Sequence, residues 1–167
     1  MRSILLAAPL AAALLGAPLA EAQNCVRPVD LAAFDVASLK TQLMVTALTC
    51  NARDGYNAFV LRFRTDLMAQ ERALQTYFSR GYGANGQRQH DDYVTQLANT
   101  QSQAGIREGS QHCQLSVRLM DEVLALPAGV TLTAYAASKN LVQPVALLAC
   151  PMLQSGQEMA QMRSDRR

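Results

Sequence analysis

The sequence predicts an all-α protein with a four-helix bundle-like core, a short fifth helix and a disulfide-stapled C-terminal segment. Three observations predict this fold. Apolar residues recur at helical spacing in four successive segments, β-branched residues do not alternate with polar ones as they do in strands, and four cysteines are spread along the chain. The 167 residues are 50% apolar and 17% charged, so we expect one ordinary folded domain rather than a disordered chain.

Residues 1–22 have the features of a secretory signal peptide. They comprise a short basic start, an apolar run from Ile4 to Ala20 and a small-x-small cleavage site. Two prolines and a glycine interrupt the run, which is shorter than the roughly 20 residues that a membrane span needs. We predict cleavage between Ala22 and Gln23 and export to the bacterial periplasm or the medium. We expect no later segment to be long and apolar enough to cross a membrane.

The four cysteines all follow the predicted cleavage site, and an even number in an exported chain predicts two disulfides. Their spacing contains no Cys-x-x-Cys, so it does not indicate a zinc or redox site. The helix layout favours pairing Cys50 with Cys113, because the end of the first helix and the start of the fourth lie at the same pole of an antiparallel bundle. Cys25 then pairs with Cys150, and a single helical domain is predicted over residues 23–150.

The first two helices are predicted from their caps and their apolar spacing. The first spans residues 35–50 with Asp35 as its N-cap. The second runs from Asp54 to about Arg80, and its apolar side chains fall within an arc of about 100° on a helical projection. These core candidates are Tyr56, Phe59, Val60, Phe63, Leu67, Leu74, Tyr77 and Phe78.

The arginines of the second helix are predicted to face solvent. Arg62 and Arg80 fall outside the apolar arc, and Arg72 lies nearly opposite it. Because rings and guanidinium groups lie on different faces, the pattern favours a core stripe over the aromatic and basic face of a single-strand nucleic-acid binder. The net charge of +2 is also too small to indicate nucleic acid as a partner. Gln70 and Glu71 interrupt the stripe, so we expect a kink or a polar contact there.

Residues 81–86 match the Gly-x-Gly-x-x-Gly pattern of dinucleotide-binding loops. In those proteins the glycines follow a β-strand, whereas here they follow an amphipathic helix and no βαβ alternation surrounds them. We therefore predict a turn in which Gly81 is the residue just beyond the helix end, and we expect no cofactor.

The third and fourth helices are predicted over residues 87–104 and 110–126. Thr131 is predicted to cap a fifth helix that ends near Lys139. The fourth helix has the widest apolar face and is expected to be the most buried. The third has a polar inward face that includes Gln101, and such side chains need hydrogen-bond partners when buried. Tyrosine hydroxyls or water are the expected partners, and a small polar pocket is the alternative.

The C-terminal part of the chain has two sections. Residues 141–150 are apolar and are expected to pack on the bundle. Residues 151–167, rich in Gln, Met and Arg, are expected to be a flexible tail. Spaced methionines in an exported chain can bind Cu(I), so this tail is a weak candidate copper site through Met152, Met159 and Met162.

Few residues in the chain are candidates for chemistry. His90 and His112 are the two imidazoles, predicted near the starts of the third and fourth helices on the order of 20 Å apart, too far to share a metal. Asp91 and Asp92 fit the preference of helix N-termini for acidic residues, and Glu71 is a candidate to meet one of them in space. No serine-nucleophile motif is present. We therefore assign no catalytic, cofactor-binding or metal-ligating residue.

Three functions remain open at this point. The first is an exported, non-enzymatic helical module of the cell envelope, a monomer that binds another envelope protein or a small ligand through an interhelical groove or an exposed face. The alternative is periplasmic copper handling through the Met-rich tail or His90. The second alternative is a hydrolase-type enzyme without a recognisable motif. An exposed apolar patch favours the binding module, and methionines that converge with a histidine favour copper handling. A pocket with carboxylates of perturbed pKa favours the enzyme.

Overall fold

The computed structural model describes residues 25–150, and in this part of the chain the all-α prediction is confirmed. The helices are α1 (Pro28–Thr49), α2 (Arg53–Arg62), α3 (Arg64–Tyr82), α4 (Gly86–Glu108), α5 (His112–Leu124) and α6 (Leu132–Ala137). α2 and α3 together replace the predicted second helix, and α6 is the predicted short fifth helix. The predicted signal peptide, its cleavage site between Ala22 and Gln23, and the predicted tail lie outside the described residues.

The starts of α1 and α6 show which residues determine where a helix begins in this chain. α1 begins at Pro28 and not at Asp35, because proline has a helical φ and its missing N–H needs no partner in the first turn. Asp30 adds the acidic residue that a helix N-terminus favours. Asp35 lies inside the helix, where partial burial raises the pKa of its carboxyl. At α6 the predicted cap is confirmed, since the Thr131 hydroxyl accepts the backbone N–H three residues later at 3.2 Å.

α1 is the central helix and packs against all five others. It is more buried than α5, contrary to the prediction, because it is covered on every side; Leu39 and Leu43 are both 0% exposed. By length and composition α1 could cross a membrane, with a mean hydropathy of 1.2, so the expectation that no later segment would pass this test was wrong. In the fold, 56% of that apolar window is buried inside the domain, as in the core helix of a globular protein.

The predicted second helix is divided at Phe63, whose φ of −105° and ψ of 19° leave the helical region. The prediction of one continuous helix was wrong, and the kink suggested near Glu71 does not occur, because α3 is continuous there. The break lets α2 pack on α5 while α3 packs on α4. Arg62 fastens the junction, since its guanidinium donates to the backbone carbonyls of Leu124 and Leu126 at the end of α5.

The core consists of two hydrophobic clusters, and α1 contributes to both. The first cluster lies among α1, α2, α5 and α6 and contains Val36, Leu39, Leu43, Phe59, Phe63, Met120, Val123, Leu132, Tyr135 and Ala136. The second lies among α1, α3 and α4 and contains Val26, Ala33, Phe34, Leu74, Phe78, Tyr93 and Leu97. Phe34 packs edge-to-face on Tyr77 and Tyr93 at centroid distances of 4.9 and 5.1 Å, a favoured geometry for aromatic pairs.

The glycine motif forms the turn between α3 and α4. α3 continues through Gly81, so the prediction that Gly81 ends the helix was wrong; Gly83 does so, with a φ of +54° that side chains with a Cβ rarely adopt. Gly86 is required for space, because a Cβ there would lie 2.7 Å from the Cα of Ser79. Gly83 and Gly86 are thus both needed for the shape of the turn that connects α3 and α4.

Both predicted disulfides are confirmed. Cys50–Cys113 joins the end of α1 to the start of α5 with a Cα separation of 5.4 Å, as the antiparallel layout predicted. Cys25–Cys150 joins the two ends of the described chain at 4.7 Å. Beside it, the backbone N–H and C=O of Val26 form hydrogen bonds of 2.8 and 2.9 Å with the C-terminal segment. This segment is therefore stapled to the domain covalently and through the backbone.

The polar inward face of α4 holds the same C-terminal segment. Gln101 is fully buried, and its Nε2 donates to the backbone carbonyl and hydroxyl of Ser38 and to the carbonyl of Val142 at 2.9–3.2 Å. The Tyr93 hydroxyl donates to Gln143 Oε1 at 2.8 Å, and burial raises the pKa of this hydroxyl. Gln101 Nε2 and the Tyr93 hydroxyl thus find partners in α1 and in the C-terminal segment, whereas the buried Gln101 Oε1 has none among the described residues.

Candidate ligand-binding groove

An open groove of about 480 Å³ runs along one face of α2 and α3, on both sides of the break at Phe63. This volume is within the range of about 300–1,000 Å³ typical of small-molecule sites. The groove is lined by Lys40 from α1, by Tyr56 and Val60 from α2, and by Arg64, Leu67, Met68, Glu71, Arg72 and Gln75 from α3.

The floor of the groove is apolar. Tyr56, Val60 and Leu67 were predicted as core residues, and they do pack against the first hydrophobic cluster, but each is only half-buried. Their remaining surface faces the groove. Burial raises the pKa of the Tyr56 hydroxyl, so this ring stays uncharged at neutral pH. The floor therefore presents apolar surface that the fold itself does not cover.

One edge of the groove is a row of side chains on α3. Arg64, Met68 and Arg72 follow one another at intervals of four residues, the spacing that places side chains on the same side of a helix. Met68 is 50% exposed between the two guanidinium groups. Arg72 is exposed, as predicted, and it lines the open groove together with the half-buried Leu67.

The arginines of α2 and α3 differ in how they are used. Arg62 binds the end of α5, and Arg80 donates to the buried carboxylate of Asp30 at 2.8 Å. Arg64 and Arg72, which line the groove, form no ion pair with any residue of the range 25–150. Their charges are thus available at the groove, whereas those of Arg62 and Arg80 hold the fold together.

A short chain of charged groups lies at one side of the groove. Lys40 Nζ and Glu71 Oε2 are 3.4 Å apart, and Glu71 Oε1 lies 3.0 Å from Nε2 of the buried His90. The second pair is close in space, but His90 Nε2 has no hydrogen-bond partner among the described residues. His90 Nδ1 lies 3.2 Å from Asp91 Oδ1. Glu71 was a candidate to meet Asp91 or Asp92; it lies at the opposite ring nitrogen of His90 from Asp91, so these two carboxylates flank the imidazole.

His112 belongs to a separate cluster at the start of α5. Its Nδ1 lies 2.8 Å from Glu108 Oε2 and 3.4 Å from the Ser116 hydroxyl, while its ring packs over Gly105. Hydrolytic triads place the acid and the serine on opposite ring nitrogens. Here both oxygens contact Nδ1, and the buried Nε2 has no partner among the described residues. The cluster therefore lacks the geometry of a serine nucleophile and its base.

The two histidines share no ligand cluster. Among residues 25–150, no group of three or more His, Cys, Asp or Glu side chains is placed to hold a metal ion. His90 contacts the carboxylates of Glu71 and Asp91, and His112 contacts that of Glu108. The methionines of the candidate copper site all lie outside the described residues.

Comparison with protein-family models, with curated proteins and with solved structures found no match to this chain. Its described part is a small helical domain held by two disulfides, with an amphipathic groove along α2 and α3.

Sequence patterns did not single out Lys40, Arg64 or Met68. The four-residue spacing of Arg64, Met68 and Arg72 was a visible signal, but regular spacing alone does not separate a groove edge from an ordinary solvated face. The position of Lys40 beside Glu71 depends on how α1 packs against α3. No local pattern in either helix specifies that packing.

Proposed function

We propose that this protein is an exported, non-enzymatic helical module that binds a small ligand in the groove of α2 and α3. The observation that carries the proposal is the groove, which combines an apolar floor, a cationic edge and the volume of a small-molecule site. Two disulfides support a location in an oxidising compartment, in line with the signal-peptide pattern of residues 1–22. We accordingly place the protein in the bacterial periplasm or outside the cell.

A binding role is favoured over a catalytic one by how the lining groups are paired. Glu71 is the carboxylate that lines the groove, and it contacts both Lys40 and His90. A general acid or base must reach a substrate proton, and the Glu71 carboxylate has one oxygen hydrogen-bonded to Lys40 Nζ while the other lies 3.0 Å from Nε2 of the buried His90. A small ligand is favoured over a protein partner because the surface is concave, whereas protein interfaces are larger and flatter.

A fluorescent reporter tests whether the groove binds a ligand. The chain contains no tryptophan, so Met68→Trp places a sole indole at the groove edge, and Leu61→Trp is a matched control on an exposed side chain that does not line the groove. The neutral apolar dye Nile red should quench the Met68→Trp emission with saturation and shift its emission maximum, because the dye contacts this indole, and the emission maximum of Leu61→Trp should stay unchanged. Equal, unsaturable quenching of the two variants would contradict the proposal.

Native mass spectrometry of protein purified from the exported fraction tests signal cleavage, disulfide formation and the presence of a bound organic ligand. We expect a mature chain that begins at Gln23, a mass lowered by the four hydrogens lost to two disulfides, and an organic adduct that denaturation releases. A bound copper ion in place of an organic adduct would favour the alternative of metal handling. A chain that keeps residues 1–22 would contradict export by cleavage.

A further inference from the structure

We infer that the ligand of this groove is an amphiphile with a single alkyl chain and an anionic head group. The inference rests on the proposed binding function and adds the chemical class of the ligand. It follows from the arrangement of charge and apolar surface within the groove.

The head group is assigned to the edge formed by α3. Arg64 and Arg72 carry guanidinium groups that form no ion pair within residues 25–150, and both line the groove. Guanidinium groups bind carboxylates and phosphates through paired N–H donors. Lys40 is partly neutralised by Glu71, 3.4 Å away. With three cations and one carboxylate among its lining residues, the groove favours an anion and disfavours a cation.

The alkyl chain is assigned to the apolar floor. Tyr56, Val60 and Leu67 are half-buried and continue from the first hydrophobic cluster to the groove surface. Met68, 50% exposed between the two arginines, is an unbranched and adaptable side chain that can cover a flexible hydrocarbon. Burial of a methylene on such a surface strengthens binding about fourfold.

Other occupants fit the groove less well. The segment 151–167 carries three arginines and two acidic residues, so its net charge has the same sign as that of the groove. A nucleic acid would need several rings on which to stack its bases, and Tyr56 is the one aromatic residue among the lining side chains. A single-chain anionic amphiphile matches both the charge and the narrow apolar floor.

Calorimetric titration of the full mature protein tests this assignment, with every ligand kept below its micelle-forming concentration. The ligands are dodecanoate, dodecyl phosphate, dodecyltrimethylammonium and the neutral dodecyl maltoside. We expect dodecanoate or dodecyl phosphate to bind at least about tenfold more tightly than the ammonium compound. Shortening the chain of the carboxylate should weaken binding about fourfold per methylene. The tighter of the two anions identifies a carboxylate or a phosphate as the native head group.

A pair of double variants tests the role of the two arginines. Arg64→Gln with Arg72→Gln should weaken anion binding at least about tenfold and change maltoside binding less than threefold. Arg88→Gln with Arg107→Gln removes the same charge from exposed positions of α4 outside the groove and should change neither. Circular dichroism of both variants checks that the helical fold is retained.

The outcomes separate the two proposals. Equal binding of anionic and cationic chains, or full anion affinity in the Arg64→Gln and Arg72→Gln variant, would overturn the head-group assignment and leave a binding groove. Absence of binding by all four ligands together with unsaturable Nile red quenching would overturn both. A carbodiimide cross-link between Lys40 and Glu158 or Asp165 in the full chain would identify the C-terminal tail as the occupant and overturn the assignment.

Discussion

α4 and α3 each present polar side chains beside an apolar stripe, and the fold treats the two faces differently. On α4, Gln101 and Tyr93 are hydrogen-bonded to Val142 and Gln143 of the C-terminal segment. On α3, Arg64 and Arg72 have no ion-pair partner in the described chain. The difference shows that some polar groups on these helices hold the fold together, whereas Arg64 and Arg72 keep their charge at the groove, where the proposed ligand would meet it.

The largest expected effect comes from releasing the segment that covers α4. Replacing Cys25 and Cys150 together by Ser opens a loop of sequence separation 125 and should lower the free energy of unfolding by about 2–5 kcal/mol. Urea unfolding followed by circular dichroism measures the change. Binding of Nile red at the groove of α2 and α3 should persist in the folded variant. Identical unfolding midpoints with and without this disulfide would show that the staple adds no stability.

A smaller effect is expected from one side chain of the α4 face. Gln101→Leu removes three contacts of a fully buried Nε2 and should cost about 1–2 kcal/mol, because Ser38 and Val142 lose this donor, although the Ser38 hydroxyl still donates to Val142. Hydrogen exchange should then accelerate around Val142. Gln103→Leu is the control, since Gln103 is exposed on the same helix. An equal loss of stability in both variants would indicate a general effect on α4.

The smallest expected effect distinguishes two arginines of α3. Arg80→Gln removes a 2.8 Å contact to buried Asp30 and should cost about 1 kcal/mol at neutral pH, whereas Arg72→Gln should change stability by less than about 0.5 kcal/mol. Thermal unfolding of the two variants measures the difference. Comparable destabilisation by Arg72→Gln would mean that Arg72 also serves the fold.

The effect of Arg80→Gln also depends on pH. Hydrogen bonding from Arg27, followed by the charges of Arg80 and Arg27, holds the pKa of Asp30 below its usual value. A carboxyl whose pKa is lowered on folding stabilises the fold fully above its unfolded pKa of about 3.9, and this contribution is lost as the pH falls through the folded pKa. The stability gap between wild type and Arg80→Gln should therefore narrow below about pH 4. A constant gap down to pH 2 would contradict the assignment.

Much of the architecture could be predicted from local patterns. The 3.6-residue period of apolar side chains identified every helical region, and the alternation of helix directions placed Cys50 beside Cys113. The cap at Thr131 was also predictable, because a hydroxyl at that position satisfies a free backbone N–H. Pro28 is an equally good local signal for the start of α1, since proline fits the first turn of a helix, whereas the predicted cap at Asp35 lies inside α1.

The break at Phe63 was not predictable from such patterns. Neither proline nor glycine marks it. The helix divides where packing against α5 gives way to packing against α4, so that α2 contacts α5 and α3 contacts α4. Arg62, predicted to face solvent, instead binds carbonyls at the end of α5. These contacts join residues more than sixty positions apart and exist only after the helices have packed.

The class of fold and the helical regions followed from the amino-acid sequence, because periodicity and capping are properties of nearby residues, and the alternation of helix directions then indicated the disulfide pairing. Packing between distant helices decided which side chains remain uncovered. Gln101 and Arg72 are both polar residues on long helices, yet the C-terminal segment covers the first, and no described part of the chain pairs with the second. Burial of apolar surface sets how helices are placed, and the polar groups then gain or lack partners according to that placement.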